Sequence, residues 1–321
     1  VSAVTPARPA VDPDAVAPTR PGHQTGSGVG QTPFPASPAR STNGSARAPQ
    51  PEGPEGFRRP RPRPAPRRSP NPAVSVIVPT RNEARNLEIV LPAIAAVRPA
   101  VHEVIVVDGN STDNTVAVAR RTLPWARVIT QTRKGKGNAM ACGFTAATGD
   151  VLVMFDADGS ADPNEIPAFV EALVAGADFA KGSRFRKGGG SDDITLLRKT
   201  GNAGLNGVAN RLFGTHYTDL CYGYNAFWAD LLPQLELPDP GAPQPEDGSM
   251  LWGDGFEIET VLNCRVAAAD LTIKEVPSVE RERMFGETNL RTFADGTRVL
   301  RTLMAEHRRM EQRRKASGYA R

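Results

Sequence analysis

The chain has 321 residues and sets 39 lysines and arginines against 35 aspartates and glutamates, a formal net charge of +4. That near balance excludes a uniformly basic nucleic-acid-binding body, and the length allows one large domain with a real core. No run approaches the roughly 18 apolar residues needed to span a bilayer, and the start lacks the charged-then-apolar order of a signal peptide, so the sequence predicts a cytoplasmic protein.

Residues 1–72 hold much of the proline, lack apolar periodicity and contain the run RRPRPRPAPRR from Arg58 to Arg68. Such a segment buries too little apolar surface to offset its ordering entropy, so it is expected to be disordered and in part polyproline II, with the folded unit spanning 73–321. The basic excess lies in that run and in the C-terminal RRMEQRRK. Basic ends of this kind suit contact with an anionic surface, and equally serve solubility. The cysteines, Cys142, Cys221 and Cys264, are scattered and form no Cys-x-x-Cys pair. A disulfide framework or zinc site is therefore not expected, and a metal would be held by oxygen.

From Val74 onward the pattern alternates. VSVIVPT reads as a buried strand and NEARNLEIVLPAIAAV as a helix with Leu87, Val90, Leu91 and Ile94 on one face. EVIVVD, ARVITQ and VLVMF repeat the strand theme, separated by the helical TVAVARRT and GNAMACGFTAAT and followed by EIPAFVEALVAG. Unbroken apolar runs between amphipathic helices predict an α/β doubly wound, mostly parallel sheet covered on both faces. The second half predicts a helix over ITLLRKTGNAGLNGVANRLFG, another over GDGFEIETVLNCRVAAA, a strand LTIKEV and a terminal helix from TFADGTRVLRTL onward.

Ligands of such sheets bind beyond the carboxyl ends of the strands. Pro79, Thr80, Asn82 and Glu83 follow the first strand, Asp108 and Gly109 the second, and Asp156 and Asp158 the fourth. Neither Gly-x-Gly-x-x-Gly nor a P-loop follows the first strand, so dinucleotide and P-loop chemistry are not indicated. The crowded acids Asp156, Asp158, Asp162 and Glu165 repel one another and ask for a positive partner. Asp156-x-Asp158 can reach a divalent ion together with phosphate oxygens, the sparse carboxylate set that magnesium takes. Asp-x-Asp alone is weak, since Asp12-Pro13-Asp14 repeats it in the tail; its place at the end of a buried strand gives it weight. Lys134 and Lys136, among glycines before a helix, form a candidate phosphate contact or a solvated loop.

In order along the chain, VSVIVPTRNEARNLE, VIVVDGNSTDNT, KGKGN, VLVMFDADGS, KGSRFRKGGG, the helix bearing Arg198, NRLFGTHYTDLCYGYNAF, GDGFEIE and ERMFGETNL resemble the GT-A (nucleotide-diphospho-sugar transferase) fold glycosyltransferases of family 2, in the dolichyl-phosphate mannose synthase-like branch. The resemblance implies that Glu83 and Asp108, beside Pro79, contact base and ribose, that Asp156 and Asp158 hold Mg or Mn against the donor diphosphate, and that Arg184, Arg198 and Arg283 bind phosphates of donor or acceptor. It implies an inverting transfer of a hexose from a nucleoside-diphosphate sugar to a polyprenyl phosphate. A hydroxyl acceptor would need a base, for which Asp254 or Glu257 is the candidate. A non-catalytic nucleotide-sugar-binding protein or membrane adaptor is the remaining alternative. A nucleic-acid partner is not expected.

The sequence departs from that branch at Gly159 and Ser160, where Leu-Gln is usual, and at Asn225 and Asn289, where cations are usual. Relatives often carry C-terminal membrane helices. Here the terminal segment pairs Val299, Leu300, Leu303 and Met304 with Arg298, Arg301, Arg308 and Arg309. That helix either packs its apolar stripe on the domain, the commoner case, or lies on an anionic bilayer or membrane-protein partner as a peripheral contact.

Overall fold

A computed structural model of the chain describes residues 68–192, 194–286 and 292–316; the predicted tail up to residue 67 and Asn289 lie outside the described residues. The first described residue is already part of the folded unit. Arg68 donates to Asp178 at 2.6 Å and to Asp230 at 3.2 Å and lies 5.0 Å from the Trp228 ring, so the folded unit has a short lead-in before Ala73.

The elements run β1 (Val74–Thr80), α1 (Ala84–Ala96), β2 (Glu103–Asp108), α2 (Thr115–Thr122), β3 (Arg127–Thr130), α3 (Lys136–Ala146), β4 (Val151–Met154), α4 (Ile166–Val174) and β5 (Phe179–Ser183). They continue through β6 (Gly190–Ser191), α5 (Leu196–Phe213), β7 (Asn225–Trp228), α6 (Leu232–Leu235), α7 (Ile258–Ala268), β8 (Ile273–Pro277), β9 (Val279–Glu280) and α8 (Thr292–Ala316). Seven strands form one sheet in the order β3-β2-β1-β4-β7-β5-β8, and β6 pairs with β9. Within the large sheet only β7 runs antiparallel to its neighbours. The α/β doubly wound, mostly parallel arrangement is thus the one the sequence predicts.

The strands form because their apolar runs can be buried on both faces. Val76, Ile77 and Val78 of β1, Val104 to Val107 of β2 and Val151 to Met154 of β4 have no exposed surface. At about 1.5–3 kcal/mol for each large side chain removed from water, this central block is the main stabilising term of the fold. Phe227 of β7 extends it, stacking on Phe179 and meeting Phe144 edge-on at 5.2 Å.

The buried face of α5 is less apolar than its leucine stripe suggests. Asn202, Asn206 and Asn210, one turn apart, donate side-chain amides to Asp219, the Thr218 carbonyl and the Tyr217 carbonyl. This ladder pins residues 217–220 and so fixes the buried Asp219, whose carboxylate holds Arg184. The terminal helix packs on the domain: Leu303 is buried in a cluster with Ala209 of α5, against which Val299 and the α5 residues Leu205, Val208 and Leu212 also pack, while Leu300 and Met304 stay exposed. Glu306 locks it further, accepting from Arg265 at 3.0 Å and from the Trp252 indole at 2.7 Å. Among the described residues no helix is long and apolar enough to cross a membrane.

One buried carboxylate gives the fold a pH signature. Burial by itself would raise the Glu103 carboxyl, but bonds from the Thr148 amide, the Ser75 and Thr148 hydroxyls and Arg127 outweigh it and hold Glu103 at about 2, against 4.5 when unpaired. A depressed folded value means stability that is present above pH 4.5 and lost as pH falls towards 2. Glu103→Gln is therefore expected to lower the melting temperature at pH 7 and to flatten the acid limb of a melting-temperature profile between pH 5 and 3. An unchanged acid limb would contradict the assignment.

Candidate active site

The carboxyl ends of β1, β2 and β4 open onto a cleft of about 1000 Å³, closed on its other side by α5, the loop before α7 and the first turns of α8. The loops that line it are tied to each other. Asn82, in the left-handed region at φ 58°, accepts from the Thr112 amide at 2.8 Å and donates its own amide to Ser111 at 2.9 Å. Ser111 in turn donates to the Asp108 carboxylate at 3.2 Å. Pro79 and Glu83 line the cleft; Asp108 is buried behind Gly109 and shapes the turn rather than lining the cavity.

Asp156 and Asp158 both face the cleft. The other two acids of the crowded stretch do not. Asp162 caps a short 3-10 turn through the Asn164 amide at 2.9 Å, and Glu165 accepts from Ser278 and from the Val279 amide. The positive partners that the crowding demands are supplied by the chain. The Lys136 ammonium sits 2.7 Å from Asp156 and 2.6 Å from Glu259. Its burial opposes the charge, but these two carboxylates carry the Lys136 pKa above its ordinary value. The Arg283 guanidinium lies 3.5 Å from Asp158 and pairs with Glu83.

Gly159 and Ser160, the departures from the branch pattern, have a local reason. Asp158 Oδ1 accepts from the Ser160 amide at 3.0 Å and the Ser160 hydroxyl at 2.7 Å, which fixes the carboxylate's direction. Gly159 has φ +79°, and a Cβ there would lie 2.7 Å from the Met284 sulfur. That close approach arises because residues 281–284 are zipped to this turn: Arg281 N donates to Ser160 O at 2.8 Å and Met284 N to Asp158 O at 3.1 Å. The pairing is what carries Arg283 over the acids.

Arg184 and Arg198 also line the cleft. Arg184 donates Nε and Nη2 to Asp219 at 2.7 and 2.8 Å and Nη1 to Glu280 at 2.8 Å. Burial works against its charge, but Asp219 and Glu280 hold its pKa above the ordinary arginine value. Arg184 is thus a fixed cation on the cleft wall.

Three further expectations are corrected. Asp254 is fully buried and paired with Arg133, whose Nε and Nη2 donate at 2.7 and 2.9 Å, so it cannot take a proton from a substrate in the cleft. Glu257 turns back to accept from the amides of Gly253 and Gly255 at 3.0 and 3.2 Å, a structural cap rather than a base. The lysine-glycine loop is no phosphate cradle, because the amides of Gly137 and Asn138 donate to the Gly255 and Asp254 carbonyls at 3.2 and 3.0 Å, and exposed Lys134 does not line the cleft. Only the Lys136 side chain enters.

Among the cleft-lining residues that the sequence did not single out for it are Glu259 and Arg298. Glu259 stands one helical turn beyond Gly255 on a segment whose other acids are engaged, and only the Lys136 contact reveals it. Asn225, where a cation is usual, is buried in β7, its amide on the Gly223 carbonyl at 3.1 Å.

The sequence matches the family described as Glycosyl transferase family 2 over residues 75–235. An uncharacterized glycosyltransferase of Mycobacterium tuberculosis is 42% identical over 112 residues, covering 35% of this chain and 49% of that protein, so the match spans about half the length of that relative. An undecaprenyl-phosphate mannosyltransferase of Micrococcus luteus is 34% identical over 226 residues, covering 68% of this chain and 87% of that one. Among solved structures, glucosyl-3-phosphoglycerate synthase from Mycobacterium tuberculosis, in complex with Mn2+, UDP and phosphoglyceric acid, superposes with a TM-score of 0.56 at 22% identity, covering 74% of this chain and 78% of that one. That likeness establishes the GT-A fold.

Proposed function

Because the chain belongs to glycosyltransferase family 2, we propose that it moves a hexose from a nucleoside-diphosphate sugar to a polyprenyl phosphate with inversion at the anomeric carbon. The observation that carries this reading is one cavity lined by the acids Asp156 and Asp158 and by the cations Lys136, Arg184, Arg198 and Arg283. The likeness to the Micrococcus luteus undecaprenyl-phosphate mannosyltransferase supports the acceptor class.

Asp156 and Asp158 offer hard oxygen donors, and among the described residues no group of three or more His, Cys, Asp or Glu forms a complete metal cage. So sparse a set fits Mg or Mn, which keeps waters and substrate phosphates as its remaining ligands. Such an ion, held by these two carboxylates, would supply charge neutralisation for a leaving diphosphate. Glu83 and Pro79, beside the turn that Asp108 shapes, take the nucleoside. Arg283 leaves Glu83 and Asp158 to meet the donor phosphates, and Lys136 keeps Asp156 aimed into the cleft. Charge that develops on the departing diphosphate is stabilised by groups already in place.

The acceptor phosphate oxygen attacks the anomeric carbon from the face opposite the diphosphate. The new C–O bond forms as the bond to the donor's phosphate oxygen breaks, and its electron pair leaves with the nucleoside diphosphate. An ionised phosphate has no proton to lose, so no base is needed. This agrees with the burial of Asp254 and the engagement of Glu257 by the Gly253 and Gly255 amides, which leaves the hydroxyl-acceptor reading without its nominated base. A lipid acceptor would be met at a membrane surface, and the exposed Leu196, Leu300 and Met304 with Arg301 and Arg308 support a peripheral contact there.

The test is incubation with labelled nucleoside-diphosphate hexoses, Mg or Mn, and either polyprenyl phosphate or hydroxylated acceptors. Label is expected to pass into the lipid phase only with the phosphorylated lipid, and the same donor with metal is expected to raise the melting temperature. Transfer to a hydroxyl acceptor alone would overturn the reading.

A further inference from the structure

The sequence places Arg298 among arginines available to a bilayer, but in the structure it lines the cleft. Its Nη2 donates to Asp295 at 2.5 Å and its Cζ lies 5.8 Å from the Phe256 ring. Among the described residues Nε and Nη1 have no further hydrogen-bond partner. Arg198 of α5 lines the same cavity, and Leu197, Leu205, Phe256 and Val299 supply apolar surface to the wall it shares with Arg298. Leu197 and Phe256 are each 53% exposed, leaving apolar surface beside a charged cleft.

Guanidinia set among leucine, phenylalanine and valine suit an amphiphile, an anionic head on a hydrocarbon chain. A sugar acceptor carries no alkyl chain to cover the aliphatic Leu197, Leu205 and Val299. We propose that Arg298, on the terminal helix, binds the phosphate of the lipid acceptor, and that Leu197, Leu205, Phe256 and Val299 receive the first segment of its hydrocarbon chain. The assignment rests on the acceptor class proposed above. It makes α8 part of the acceptor site rather than only a packing element, with Asp295 holding the guanidinium in place by one nitrogen and leaving the others for the ligand.

The experiment compares the full wild-type chain with Arg298→Ala, Arg298→Lys and Leu197→Asp, using a long-chain polyprenyl phosphate in detergent, a short soluble isoprenyl phosphate and an unphosphorylated polyprenol. Loss of a charge-assisted contact is expected to raise the acceptor KM of Arg298→Ala for both phosphates by about 10- to 100-fold, with donor KM changed less than about twofold and partial recovery in Arg298→Lys. Leu197→Asp is expected to raise KM more for the long-chain lipid than for the short one. An acceptor KM unchanged in Arg298→Ala, or raised equally for donor and acceptor, overturns the proposal while transfer by the wild type leaves the functional reading intact. Wild-type protein that binds nucleotide sugar yet uses neither phosphate refutes the acceptor class itself. Circular dichroism and melting temperature check folding; should Arg298→Ala not fold, Arg298→Gln carries the same comparison.

Discussion

Asp158→Ala is expected to reduce sugar transfer by about 10³-fold or more while leaving the melting temperature within a few degrees of wild type. The two halves of that expectation come from different parts of the geometry. Asp158 is partly exposed at the end of β4, and its shorter bonds are local, to the amide and hydroxyl of Ser160. Its removal opens no core cavity and orphans no buried cation, since Arg283 keeps Glu83 and the Phe285 carbonyl, the latter at 2.7 Å. What is lost is a carboxylate aimed at the place where a divalent ion would meet the donor diphosphate. Asp156→Ala should behave differently: Lys136 retains Glu259 at 2.6 Å but is released from the end of β4, so position as well as charge changes. Initial rates with labelled donor and thermal melts on the same preparations check both. Asp158→Ala transferring within tenfold of the wild-type rate would remove this carboxylate from the chemistry.

The sheet was legible in the sequence where its strands are buried on both faces. VSVIV, VIVV and VLVM need no partner to be read, because short, almost wholly apolar runs rich in valine and isoleucine suit a strand buried on both faces. Strands β5 and β7 were not read. FAKGS contains Lys181, a lysine with no exposed surface whose ammonium donates to the Tyr222 carbonyl at 2.5 Å and whose burial lowers its pKa to about 8. NAFW has four residues and runs against its neighbours, and neither fact is written in its composition.

The same distinction divides the site. Asp156, Asp158 and Glu83 follow strands and Pro79 is the penultimate residue of one, and the end of a strand in such a sheet is a place the fold assigns. Arg298, Glu259 and Asp254 lie on or just before helices, where periodicity gives a face but not the neighbour it meets. Val299 and Leu303 turn towards α5 while Leu300 and Met304 do not, a choice made by packing. For Asp254 the deciding partner stands 121 residues away in the chain.

That partner sets the second large effect. Asp254→Ala is expected to cost about 3–5 kcal/mol of stability, on the order of 10 °C in melting temperature. The side chains of Arg133 and Asp254 are 1% and 0% exposed, so removing the carboxylate strands a buried guanidinium. Asp254 is also the first cause of the raised Arg133 pKa, ahead of the opposing effect of burial. What remains around Arg133 is carbonyl oxygen, from Asp239 at 2.9 Å, Pro240 at 3.2 Å and Ala242 at 2.7 Å, which can share a proton but cannot balance a charge. The loss would spread to the cleft, because the loop carrying Asp254 is in backbone contact with the start of α3. A Cβ on Gly135 or Gly137 would lie 2.0 or 1.9 Å from the Asp254 or Gly253 carbonyl oxygen, and Lys136 stands between those glycines. A catalytic base would give the opposite pattern, an unchanged melting temperature with kcat reduced about 10²- to 10⁴-fold and a shifted pH–rate profile. Replacing both partners with apolar side chains, Arg133→Met with Asp254→Leu, separates the two: a structural pair predicts that the double variant recovers much of the stability lost by Asp254→Ala, with an acceptor pH profile like that of the wild type. A double variant that regains its melting temperature and still transfers at the depressed rate with an altered pH profile would return Asp254 to the chemistry.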